Sequence, residues 1–185
     1  MVFAIKPQPP MSPVVANASR LPFNDQSFDA VIASDVLEHV PPECRKRVIE
    51  ESLRVTRKLA IFGFPSGTEA FDCDRRIGDV YNRHHLLRPA WLDEHMSHGF
   101  PAKELFDEFY ADWNLSSFGN ESVRFHFWMM NRELSPVWNF IFRRLLAVAP
   151  KIVENVLRCL DREPYYRRIV VLQPKAVIQT KPEPC

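Results

Sequence analysis

Apolar residues fall into short runs separated by proline-punctuated polar stretches, and the runs alternate between strand-like and helix-like spacing. Val2 to Ile5 is a short apolar run closed by Lys6, Pro9 and Pro10, which predicts a strand ending in a loop; Val14 to Ala16 predicts a second, brief one. A polar stretch from Asn17 to Asp29 carries isolated apolar anchors. Ala30-Val31-Ile32-Ala33 then forms an almost wholly apolar run, the pattern of a buried strand, ended by Ser34 and Asp35. From Pro42 to Lys58, Val48, Ile49 and Leu53 recur at helical spacing, with Pro41 and Pro42 suited to the first turn and Arg57 and Lys58 to the last. Leu59 to Phe64 reads as another buried strand.

After Gly67 a charged stretch through Asp72, Asp74, Arg75, Arg76 and Asp79 leads to Tyr81, His84 and His85 without clear periodicity, which predicts a long loop or lid. Pro89 opens a short helix whose pairs Trp91/His95 and Leu92/Met96 lie four apart, and Gly99 stops it. Ala102, Leu105, Phe106 and Phe109 mark another helix. Trp138 to Leu160 keeps a helical apolar stripe interrupted at Pro150, and Ile169 to Leu172 returns as a closing strand. Strands alternating with an amphipathic helix predict parallel pairing and the doubly wound α/β class. The expected organisation is one domain: an α/β core over 1–67, a loop and helical region over 68–164, a closing strand over 165–173 and a tail over 174–185.

Composition narrows the function classes. The chain has 185 residues, 46% hydrophobic and 25% charged, enough for one globular core. Its net charge of +1 gives no general pull toward nucleic acid or an anionic membrane. No run approaches the ~20 apolar residues of a spanning helix, and no signal-peptide core follows Met1, so a cytoplasmic location is expected. Cys44, Cys73, Cys159 and Cys185 are far apart and read as reduced thiols. The 5 Gly make no GxGxxG turn and no P-loop. Arg143, Arg144, Lys151, Arg158 and Arg162 interleave with the stripe of residues 138–160, as they would on a helix pair covering the sheet or cleft.

One segment carries chemistry. Asn17-Ala18-Ser19-Arg20-Leu21-Pro22-Phe23, then Ser27-Phe28-Asp29-Ala30-Val31, then Ser34-Asp35-Val36-Leu37-Glu38-His39-Val40 resembles, in order and spacing, the class I S-adenosylmethionine-dependent methyltransferases of the small-molecule type. The resemblance implies a Rossmann-like methyltransferase sheet and methyl transfer from S-adenosylmethionine to a small-molecule or glycan-type acceptor. It places Asn17 and the Ala18 backbone against the adenine, and Ser34, Asp35 and Val36 beside the methionine part at the carboxyl end of the fourth strand. It also implies a chain shortened at its amino end. The first strand, its Gly-rich turn and its helix have no counterpart, and Lys6 stands where the family has a ribose-binding carboxylate. Weakened cofactor binding and impaired transfer are therefore expected, the alternative being a non-catalytic remnant that serves as a binding or interaction module. Val2 to Ile5 is expected to close directly on Ala30 to Ala33, with a homodimer through the strand edge as the second route.

His39, which follows the ligand-facing strand, and His84 and His85 are the candidate bases for a hydroxyl or amine acceptor. His95 and His98 with Asp72 or Cys73 could approach a metal, but solvated histidines are the favoured reading, and the transfer itself calls for no metal.

Overall fold

A computed structural model describes residues 12–175. The expected strand at Val2 to Ile5, its closure on the next strand, Lys6, Cys185 and most of the tail lie outside them.

Strand β1 (Phe28–Ser34) leads through a 3-10 turn, Leu37–His39, into helix α1 (Pro42–Val55), and α1 returns into β2 (Thr56–Pro65), which lies parallel to β1. Helix α1 forms because Pro42 suits its first turn and Val48, Ile49, Ser52 and Leu53 share one buried face. It stops at Val55, three residues before the expected end. The Thr56 hydroxyl donates to the Ser52 carbonyl at 2.7 Å, and Arg57 and Lys58 turn to the carboxylate of Asp29. Val31 and Ile61 lie in adjacent strands and are half-buried. Of β1, Val31 and Ala33 share the core face of Ala60 and Phe62, whereas Ile32 is 68% exposed. The apolar run thus forms a strand but not a buried one: among the described residues β1 pairs only with β2. Val14 to Ala16 forms no strand and is exposed.

The sheet order is β1-β2-β4-β3, with β4 (Tyr165–Pro174) antiparallel to both β2 and β3 (Trp113–Ser122). The expected closing strand therefore sits inside the sheet. β3 has no sequence signal, because its Ser, Asn and Gly residues are poor strand formers and its stability comes from pairing along β4. Gly119 is required there: a Cβ would lie 1.9 Å from the Tyr165 ring. One face of the sheet packs Ala60, Phe62, Phe64, Val170 and Leu172 against Leu37, α1 and Phe106. Phe106 belongs to a 3-10 run, Lys103–Ala111, where an ordinary helix is expected.

The charged stretch after Gly67 is a helix, α2 (Thr68–Arg83), not a loop or lid. Its buried face is Ala70, Cys73, Asp74, Ile77 and Val80, a helical stripe obscured in sequence because Asp74 occupies a core position. Helices α3 (Ala90–His98) and α4 (Val123–Glu133) pack on α2, and Leu92, Val123 and Tyr166 join its apolar cluster. Gly99 ends α3 at φ 64°, as its position predicts. The stripe of residues 138–160 forms α5 (Pro136–Val148) and α6 (Pro150–Leu160), broken at Pro150. This pair packs on α4 and on itself rather than over the Ile32 face.

Two arginines of α1 fix the segments flanking β1. Arg54 donates to the carbonyls of Leu21 and Phe23 at 3.2 and 2.9 Å and pairs with Asp25 and Glu51, while Glu51 accepts from the Leu21 amide at 3.0 Å. Buried Arg45 donates to the carbonyls of Leu37, Val40, His98 and Gly99 at 2.6–3.1 Å, tying the turn after β1 to the end of α3.

Arg45→Ala is expected to lower unfolding free energy by about 2–5 kcal/mol, because buried carbonyls lose their donor. Arg45→Lys recovers little of it, since an ammonium cannot span that fork. Denaturant titration of both variants checks this. The Arg54 hydrogen bonds to Glu51, with the Leu21 amide, hold the Glu51 carboxyl down at about 2, against an ordinary value of 4.5. The stabilisation is thus complete above pH 4.5 and lost as pH falls through 2. The Tm gap between wild type and Glu51→Gln is expected to be widest near neutrality and to narrow across that window. A gap independent of pH would contradict it.

Candidate active site

The carboxyl ends of β1 and β2 open toward a group of acids and histidines supplied by the turn after β1, α2, α3, β3 and α4. Ser34 donates to Asp35 Oδ2 at 3.1 Å, and the Asp35 amide continues the parallel ladder onto the Gly63 carbonyl at 2.8 Å. Asp35 has φ 54°, a left-handed turn that directs the chain away from the strand into the 3-10 turn. Its Oδ1 meets Arg167 of β4 at 2.8 Å. Leu37 drops into the core at 1% exposure and so fixes the two residues after it, Glu38 and His39.

Glu38 is 1% exposed, and its Oε2 has no partner among the described residues. Burial, with Asp35 adding to it, pushes its carboxyl up to about 8, against its backbone hydrogen bond and the charges of Arg167 and Arg45. His39 is half-buried, and its Nδ1 lies 2.6 Å from Glu94 of α3. Its ring sits 4.9 Å from that of His95, the next residue after Glu94.

His95 is buried, with Nδ1 2.7 Å from Asp74 of α2 and Nε2 without a partner among the described residues. Asp74 is fully buried and also accepts from the Tyr166 hydroxyl at 2.9 and 3.1 Å. Burial first, then the neighbouring Asp74, pushes the Tyr166 hydroxyl well above its ordinary range, so it remains a donor. His126 stacks on Tyr166 at 3.5 Å and meets Glu121 at 2.9 Å, and Glu121 returns to Arg167 at 3.5 Å. A polar path thus runs from Asp35 through Arg167, Glu121 and His126 to the Tyr166–Asp74–His95 group and on to His39.

An acceptor on Nδ1 settles which nitrogen of each histidine is free. With Asp74 on Nδ1 of His95 and Glu94 on Nδ1 of His39, each ring presents Nε2 as its basic atom. This arrangement can accept a proton from a nearby hydroxyl or amine.

The structure joins some of the sequence candidates and separates others. Ser34, Asp35, Val36 and His39 lie together at the end of β1 and in the turn that follows it. Asn17 and Ala18 lie on the segment clamped to α1 by Arg54; Asn17 Oδ1 accepts from the Ser19 amide at 2.9 Å, and Ala18 packs on the core. His84 and His85 are exposed at the far end of α2, with His84 lining a groove shared with Phe127 and Trp128. They lie about ten residues, or ~15 Å of helix, beyond Asp74. His95 pairs with Asp74 rather than with His98, Asp72 or Cys73; Asp72 is exposed and pairs with Arg75, and Cys73 faces the Val123 carbonyl.

Sequence reasoning missed the roles of Asp74, Glu94, Tyr166 and Arg167. Only Asp74 left a trace, a charge at a helical core position. The others are placed by tertiary contacts with no local signature.

Two grooves flank Ser66 and Gly67 at the carboxyl end of β2, one reaching Phe71, Phe100 and Lys103 and the other Glu163, Tyr165 and Arg167. No helix among the described residues is long and apolar enough to cross a membrane.

Among solved structures the chain is similar to the MccD protein, at 20% identity and TM-score 0.37, covering 86% of this chain and 66% of that one. It is also similar to a Bacillus halodurans C-125 protein provisionally assigned as a methyltransferase, at 16% identity and TM-score 0.37, covering 86% of this chain and 74% of that one. The chain spans just under two thirds of the MccD protein's length. No curated protein matches the chain. Residues 3–64 match the family described as "Methyltransferase domain", the same stretch that holds β1, α1, β2 and the segment clamped by Arg54. The match covers about a third of the chain, and over that third the sequence is similar to methyltransferase domains.

Proposed function

We propose that the chain takes part in methyl transfer from S-adenosylmethionine to a small-molecule or glycan-type acceptor, with His39 as the base. One observation carries the reading: the turn after β1 brings Asp35, on the cofactor side, within four residues of a histidine whose Nδ1 is held by Glu94.

The residues present fit part of the cofactor. Ala18 is half-buried with its backbone beside the core, suited to an adenine edge, and the Asn17 carbonyl oxygen keeps a second lone pair beyond its turn hydrogen bond. Ser34, Asp35 and Val36 line the end of β1, where the half-exposed Asp35 carboxylate suits the ammonium of the methionine part.

When bound, S-adenosylmethionine supplies an electrophilic sulfonium methyl. The protein's part is then alignment, exclusion of water and removal of the acceptor's proton. His39 Nε2 receives that proton, and Glu94 stabilises the imidazolium that results. Neutral Glu38 holds the adjoining wall without adding a charge. His84 and His85, remote from this turn, take no part.

Calorimetry with S-adenosylmethionine on the 185-residue chain is expected to give an affinity weaker than low-micromolar, with amide shifts in NMR centred on Ala18 and residues 34–36. Asp35→Ala should weaken it about tenfold or more, the loss of one charged hydrogen bond. Shifts centred elsewhere would overturn the assignment of the cofactor side. With an acceptor in hand, His39→Ala should lower turnover by about 10²–10⁴ with binding of S-adenosylmethionine intact.

A further inference from the structure

Glu38, His39 and His95 each bring one ligand-capable atom within 4.8 Å of the other two. Their surroundings differ from those of a chance cluster. Among the described residues His95 Nε2 and Glu38 Oε2 are buried without a partner, and such atoms cost about 1–3 kcal/mol each unless something meets them. Both imidazoles have Nδ1 against a carboxylate, Asp74 at 2.7 Å and Glu94 at 2.6 Å. That is the arrangement in which a histidine's outer partner fixes its tautomer, orients its ring and raises the basicity of Nε2 toward a metal.

We propose that Glu38, His39 and His95 form a binding site for one divalent transition-metal ion of the zinc type, through Nε2 of each histidine and a carboxylate oxygen of Glu38. Two imidazole nitrogens with one carboxylate suit zinc, cobalt or iron, and are too few oxygens for calcium or magnesium. The elements that carry the ligands are held rigidly: Leu37 anchors the turn in the core, and Arg45 ties it to the end of α3, on which His95 lies. Local charge favours a cation, since Asp35, Asp74 and Glu94 outnumber Arg45 and Arg167 around the trio. Three protein ligands leave a coordination position open, where a water or an oxygen of a bound molecule can be acidified. The site departs from the expectation that no metal is called for, and it stands on geometry that does not depend on methyl transfer: a bound ion occupies His39 Nε2, so the metal-loaded chain and the chain with His39 free as a base are alternative states of the same residues.

The test is metal binding itself, on the full chain freed of metal by a chelator. Co²⁺ titration followed by visible absorption, with Zn²⁺ calorimetry in parallel, is expected to show one equivalent bound. His39→Ala should weaken it at least a hundredfold. Glu94→Gln, which removes only the outer partner, should weaken it about tenfold or more, while His84→Ala leaves it unchanged. His95→Ala removes a buried group and is read only with its circular dichroism; His39 and Glu94 are partly exposed, so their variants carry the result. Absence of saturable binding, or equal affinity in wild type, His39→Ala and Glu94→Gln, would falsify the site. Failure of methyl transfer alone would not touch it.

Discussion

A single guanidinium lies under the region where the chemistry gathers. The 3-10 turn after β1 and the last turn of α3 both direct carbonyls inward, and Arg45 of α1 meets four of them at once. Two belong to the end of α3, where the helix dipole is negative, so the buried charge is balanced by oriented carbonyls rather than by a direct carboxylate partner. Burial works to lower the Arg45 pKa, yet a guanidinium starts so high that it stays charged. The relation between Glu38–His39 and Glu94–His95 is set by this contact.

A second constraint is the burial of Asp74. A carboxylate fully removed from water survives only when its oxygens are occupied, and here they are shared by a tyrosine of β4 and a histidine of α3. The cost of its desolvation thereby becomes an orientation: α2, α3 and β4 can pack in one way that satisfies it. The stacked His126 and the Glu121–Arg167 pair extend that polar seam back to Asp35. Residues far apart in the chain thus keep one geometry at the strand ends.

How much of this was legible depended on whether the signal was local. β1, α1 and β2 could be read because apolar runs, Pro42 and the helical stripe are properties of neighbouring residues, and the turn residues 34–40 came with them. Helix α3 could be read from Pro89 and Gly99. Helix α2 could not, because a core aspartate makes a buried face look solvated, and only the Tyr166 and His95 partners explain it. β3 was invisible since Ser116, Ser117, Gly119 and Asn120 owe their conformation to β4 alone. The position of β4 inside the sheet was equally hidden, because strand order is set by long-range pairing. For the site, His39 was found by its place after a strand; Asp74, Glu94 and Arg167 required the fold.

The insertion of β4 between β2 and β3 bears on synthesis. During translation β2 emerges more than a hundred residues before its inner neighbour, carrying Ile61, Phe62 and Phe64 along an open edge. The nascent chain therefore exposes the strand that the finished sheet buries most deeply for several seconds at ribosomal rates, and pairing with another chain competes with waiting for β4. Recovery of soluble protein should then be governed by elongation speed and chaperone supply more than by the stability of the finished fold.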